Sequence, residues 1–131
     1  MTYQIHYTES DRKKVISRFD EKVVEQFEKR LEKKSQQLEW VNSLNKLSKR
    51  FHNFFGECDH HIAEIKFSVK STEFRGLFLL LEEENTLAMV DVIEKEDYKG
   101  SRQEAVIQTV FDDRRKYRNS LSQKLEEEPL M

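Results

Sequence analysis

The chain has 131 residues, 37% of them charged, with a formal net charge of −2. That length suits one domain over residues 1–131 with a single modest core, and three glycines and one proline leave little room for flexible linkers. No apolar run approaches the roughly 20 residues of a membrane helix, and the N-terminus lacks the basic start and apolar core of a signal peptide, so a cytoplasmic protein without a membrane partner is expected.

Tyr3 to Tyr7 alternates aromatic and aliphatic residues with polar ones and predicts a first strand. Thr8 is placed to cap a helix, with Asp11 at the capping-box offset and Val15, Ile16 and Phe19 continuing the apolar pattern. Asp20 can cap a second, longer helix bearing Val23, Val24, Phe27, Leu31 and Leu38 at helical spacing, with a solvated Glu/Lys/Arg face opposite. Trp40, Val41, Leu44, Leu47, Phe51, Phe54 and Phe55 form a third apolar periodicity, broken at Gly56. Cys58, the sole cysteine, excludes an internal disulfide and fits a reducing compartment. Cys58-Asp-His-His61 contains zinc-ligand types, but no second pair stands at a recognisable spacing, and the segment reads as a turn before a strand. No glycine-rich phosphate loop occurs, and no metal or other cofactor is expected.

His61-Ile-Ala-Glu-Ile-Lys-Phe-Ser-Val69 alternates strictly, with Ala63, Ile65, Phe67 and Val69 on one face and Glu64, Lys66 and Ser68 on the other. Phe74–Leu81 and Thr86–Ile93 follow, separated by the polar turn Glu82-Glu-Glu-Asn85. The three runs predict an antiparallel meander, with residues 3–7 completing an antiparallel sheet that has a polar face able to hold charged side chains. Ser101 then caps a last helix carrying Ala105, Val106, Val110 and Phe111, closed by Arg114-Arg-Lys-Tyr-Arg118 where cations suit the dipole. Glu126 to Met131 is expected to fray. A sheet covered by helices on one side is an α+β layout.

Charge is segregated along the chain. Residues 11–52 carry 12 Lys/Arg against 7 Asp/Glu, whereas residues 57–99 carry 5 against 11. Any nucleic-acid binding must therefore rely on local patches. The basic positions Arg12-Lys-Lys14, Lys29-Arg30, Lys33-Lys34 and Lys49-Arg50 read either as a solvated helix face or as a surface for ribosomal RNA.

In this order of elements the sequence resembles the RelE/HigB-type toxins of bacterial type II toxin–antitoxin systems and their phage-related relatives. "YQIHYTES" resembles the family's opening strand and helix start. "HHIAEIKF" is similar to its Glu-x-Arg strand, with Lys66 in place of arginine. "EFRGLFLLLEEENTLAMVDVIEKEDYKGSRQEA" resembles its strand, acidic turn, strand, lysine loop and glutamate-bearing helix. Arg75 then falls on the family's strand arginine, Lys95 on the first loop lysine and Glu104 on the helix glutamate.

The resemblance implies metal-independent cleavage of mRNA on the ribosome, with a cognate antitoxin as protein partner. In that chemistry the 2′-hydroxyl attacks the adjacent phosphorus, which needs a proton acceptor, a proton donor and cations on the phosphate. Arg75, Lys95 and Tyr98 are the implied catalytic residues, and Lys66, Lys99 and Arg102 the implied RNA contacts. Arg75 offers a fork for two phosphate oxygens and is expected exposed on the polar face. Bland readings stand beside each: an ion pair of Arg75 with Glu64 or Glu73, solvated loop positions for Lys95 and Lys99, and ring packing for Tyr98. Glu96 and Asp97, where the family often has a second lysine, and an isoelectric point of about 6.1 keep open a non-catalytic binding module of mobile-element origin. A toxin acting on another target, such as a topoisomerase, is also open.

Overall fold

The computed structural model describes residues 2–51, 54–57, 60–98, 123 and 125–130. In chain order it contains β1 (Gln4–His6), α1 (Glu9–Arg18), α2 (Glu21–Leu38), α3 (Leu44–Ser48), β2 (Phe54–Glu57), β3 (His60–Val69), β4 (Thr72–Leu81), β5 (Thr86–Glu94) and a 3₁₀ turn at Lys95–Tyr98. The five strands form one sheet in the order β1-β5-β4-β3-β2. The architecture is α+β, with the predicted meander in place and the N-terminal strand in the same sheet.

Local chemistry sets the helix starts as the sequence leads one to expect. Thr8 accepts from the backbone N–H of Asp11, while the Asp11 carboxylate accepts from the backbone N–H of Thr8, closing a capping box. Asp20 accepts from the N–H of Val23 and starts α2. On α2, Val23, Val24, Phe27, Leu31 and Leu38 are all buried, one stripe facing the sheet. Phe27 is the centre of this contact. Its ring meets Tyr7 edge-on at 5.6 Å and lies 5.3 Å from Phe67 and 6.1 Å from Phe78.

Four expectations are corrected. β1 runs parallel to its neighbour β5, so the sheet is mixed; α1 and α2 supply the crossover that a parallel pair requires. The third apolar periodicity is split between two elements: among its described residues only Leu44–Ser48 is helical, Trp40 is 82% exposed, and Phe54 to Glu57 form an edge strand paired with β3. Aromatic residues suit a strand as well as a helix, and the free edge of β3 supplied the ladder. The second face of the sheet is not polar throughout. Ile62, Leu77, Leu79, Leu81, Ala88, Val90 and Ile93 form an apolar cluster there, with Leu125 packed on it. The segment from Glu126 to Leu130 is tied to the fold rather than frayed, because the N–H of Leu130 donates to the carbonyl of Tyr7 at 2.8 Å and Ser10 donates to Glu127. The helix expected after Ser101 lies outside the described residues.

The edge of β5 is closed by α1. Pairing between β4 and β5 shifts at Leu77/Phe78, which inserts Val90 as an extra residue. Lys14 donates to the Val90 carbonyl at 3.2 Å, and Arg18 Nη1 donates to both Asp91 oxygens at 2.8 Å. Cations on an edge otherwise open to further strands are a common safeguard against aggregation.

Gly76 sits under Phe27. A Cβ built at Gly76 would lie 2.5 Å from Phe27 Cε1, and the ring is fully buried with no room to retreat. Gly76→Ala is therefore expected to lower unfolding stability by about 1–3 kcal/mol, measured by urea denaturation. Phe27→Leu in the same chain should recover part of that loss, giving a non-additive double-mutant cycle. Additive costs would show that the two groups are not in contact.

Candidate functional site

Because Phe74 and Gly76 face α2, strand alternation sends Glu73 and Arg75 to the opposite face. The ladder between β3 and β4 sets Lys66 opposite Arg75 and Ser68 opposite Glu73. Lys95 follows β5 directly and opens the 3₁₀ turn. These elements bring Lys66, Arg75 and Lys95 to one end of the sheet, around Glu73. Lys95 Nζ donates to Glu73 Oε2 at 2.7 Å, and Lys66 Nζ lies 3.8 Å from Glu73 Oε1. The hydrogen bond from Lys95 holds the Glu73 carboxyl below its usual range, outweighing, together with the charges of Lys95, Lys66 and Arg75, the opposing effect of desolvation.

Arg75 departs from its expected exposure. It is 5% exposed, and its Nη1 donates to the carbonyl of Phe74 at 3.0 Å. Neighbours Leu77 and Ile93 on the same face belong to the second apolar cluster, which explains the burial. A guanidinium so placed contributes positive potential to the site but does not present an open fork to a phosphate. Its influence on Glu73 follows the bland reading of this residue in part, although the charge interaction runs beside a backbone hydrogen bond. The other bland partner, Glu64, is fully buried on β3.

The remaining implied site residues are less completely placed. Tyr98 closes the 3₁₀ turn, its side chain lying outside the described residues, as do Lys99 and Arg102 entirely. Cys58 also lies outside them; among the described residues no group of three potential metal ligands occurs.

Sequence reasoning gives Glu73 only as a possible partner of Arg75, whereas it is the hub of the cluster. Its register opposite Ser68 is set by the two-residue turn Lys70-Ser71, where Lys70 takes a φ of 55°. Lysine is unusual in that left-handed region, so nothing in the residue type announces so tight a turn. The basic helix residues separate into two groups. Arg12 is engaged structurally, donating to Glu28 at 2.6 Å beside the Tyr7 hydroxyl, whose proton burial and Glu28 hold more tightly than usual. Arg30, Lys34, Lys49 and Arg50 instead line a groove of about 430 Å³ beside β3. The spacing of Arg30 and Lys34, one helical turn apart, is the available signal for this second group.

No protein family, curated protein or solved structure compared with this chain matches it. No helix of the described residues is long and apolar enough to cross a membrane.

Glu73 provides a direct test of the cluster. Its carboxyl pKa is lowered in the folded chain, so the ion pairs stabilise the fold above the ordinary value of 4.5 and lose that contribution as pH falls through the lower folded value. Lys95→Ala should raise the Glu73 pKa toward 4.5, and Lys66→Ala should raise it less, by carboxyl-carbon NMR titration. An unchanged titration in Lys95→Ala would remove Lys95 from the site.

Proposed function

We propose that this protein is a toxin of the RelE/HigB kind that acts on mRNA in the ribosome and is held in check by a small antitoxin. The observation that carries the reading is the gathering of Lys66, Arg75 and Lys95, three residues singled out by the resemblance, around the single carboxylate of Glu73. A bound phosphate carries the same charge as that carboxylate and can replace it as the partner of both ammonium groups. In the cleavage step the 2′-oxygen bonds to phosphorus as the bond to the 5′-oxygen breaks. The 2′-proton must leave to an acceptor, and a lysine ammonium can return a proton to the departing oxygen.

A second reading, an RNA-binding module without cleavage, draws on two observations. Arg75 is buried, and the lowered pKa of Glu73 makes that carboxylate a weak proton acceptor. Both readings place RNA at the same end of the sheet and differ only in whether the bond is cut.

Overproducing the full chain in bacteria, with labelled-methionine incorporation and primer extension on a reporter mRNA, separates them. The toxin reading expects incorporation to fall and new 5′ ends to appear within translated regions. Lys66→Ala with Lys95→Ala should slow cutting by about 10²–10³ while leaving a cooperative melt, since both lysine side chains are partly exposed and their pairs with Glu73 add little to stability. Arg75→Ala is the poorer probe, because its burial mixes stability with activity. Arrest without new 5′ ends favours the binding module, and normal growth with normal incorporation rules out the toxin reading.

A further inference from the structure

The groove beside β3 has a volume of about 430 Å³, and Arg30, Lys34, Lys49, Arg50 and Phe51 line it. Arg30 and Lys34 stand one turn apart on α2, about 5.4 Å along its axis. Lys49 and Arg50 supply the other wall from the end of α3. Elsewhere Arg12, Arg18 and Lys95 each have a carboxylate partner. Arg30, Lys34, Lys49 and Arg50 have none among the described residues. Lys66 also borders the groove, but its ammonium pairs with Glu73 and belongs to that cluster. The carboxylate on the groove wall, Glu64, is fully buried.

Lys34 is half-buried, whereas the other three cations are exposed. It donates to the carbonyl of Arg50, and its ammonium lies 5.5 Å from the centre of the Phe51 ring. An ammonium has further N–H donors to offer beyond that one bond. Burial, then the charges of Arg30 and Arg50, hold Lys34 below the usual lysine range. Like charges held this close carry a Coulomb cost that an anion between them offsets. The Phe51 ring is itself buried and offers no open face on which a base could stack.

We propose that this groove binds a chain of linked phosphates, as carried by a nucleoside triphosphate or by inorganic polyphosphate, on Arg30, Lys34, Lys49 and Arg50. Linked phosphates concentrate charged acceptor oxygens in a small volume, which suits two guanidiniums and two ammoniums on the walls of one groove. Carboxylates on one face of an extended peptide are spread further, roughly 6.6 Å apart. Single-stranded RNA draws much of its affinity from stacking, which the buried Phe51 cannot supply. The proposal is independent of the toxin reading, since it uses other cations and needs neither RNA nor cleavage.

Isothermal titration calorimetry on the full chain, in magnesium-free buffer, tests it with sodium tripolyphosphate, ATP, inorganic phosphate and a hexaglutamate peptide. Tripolyphosphate and ATP should bind more tightly than the other two by about tenfold or more, the worth of an added charge-assisted hydrogen bond. Equal affinity for the two shows that the phosphate chain suffices, and tighter binding of ATP assigns a nucleotide; both uphold the site. Lys34→Met with Arg50→Gln should weaken tripolyphosphate by about tenfold or more. Lys66→Ala should change it by less than about threefold, because screening limits its reach from the Glu73 cluster. In the unaltered chain, NMR titration of the Lys34 ammonium should show its pKa rising toward the ordinary 10.5 when tripolyphosphate is bound. That measurement decides the matter even if the double variant folds poorly. Absence of tripolyphosphate binding, equal binding of inorganic phosphate or hexaglutamate, or an unmoved Lys34 titration would each overturn the proposal. So would a tenfold loss in Lys66→Ala, which would place the phosphates on the Glu73 cluster, or an oligouridylate that shifts Lys34 as far as tripolyphosphate does.

Discussion

The close approach of Phe27 to Gly76 determines how α2 sits on the sheet and which side chains share the sheet's far face. A phenyl ring on α2 reaches the backbone of β4 only because residue 76 has no side chain. That contact anchors α2 across the middle strands and stacks Phe27 among Tyr7, Phe67 and Phe78. It also sets the phase of β4. With Phe74 and Gly76 committed to the helical side, Glu73 and Arg75 have one direction left. A packing constraint in the core thereby decides which charged groups meet on the far face.

On that face, position along the strands separates two environments. Toward the Glu82–Asn85 turn the residues are Leu79, Leu81 and Ala88, closed over by apolar packing that includes Leu125. Toward the Lys70–Ser71 turn they are Lys66, Ser68, Glu73 and Arg75. The gathering of Lys66, Arg75 and Lys95 around Glu73 is invisible in the net charge of −2. Glu73 pairs with Lys95 and Lys66 at this end. Partly exposed pairs of this type add little to stability, and the proposed phosphate binding would exchange one such partner for another.

Much of the framework is legible in the sequence because it depends on local rules. The capping box at Thr8 and Asp11, the cap at Asp20, the apolar stripe of α2 and the alternation of β3 are all written in residues a few positions apart. The proximity of Lys66, Arg75 and Lys95 is legible as well, since adjacent strands and the segment leaving β5 must share one end of the sheet. The features that escape depend on distant partners. The direction of β1 is set by where α1 and α2 return the chain, and the strand at Phe54–Glu57 by the edge available on β3. Arg75 looks exposed from its neighbours in sequence, yet Leu77 and Ile93 draw it into an apolar surrounding. The tie between Leu130 and Tyr7 links opposite ends of the chain and leaves no trace in either segment.

The central claim is that the Glu73 cluster is a phosphate site whose lysines can change partners. The most direct measurement is the carboxyl titration of Glu73 by NMR, with and without a short single-stranded RNA at saturating concentration. If phosphate takes Lys66 and Lys95 from Glu73, the carboxyl loses the groups that lower its pKa and gains a nearby negative charge. Its pKa then rises toward or above 4.5 when RNA is bound. A titration that RNA leaves unchanged would place any bound RNA elsewhere and contradict the account.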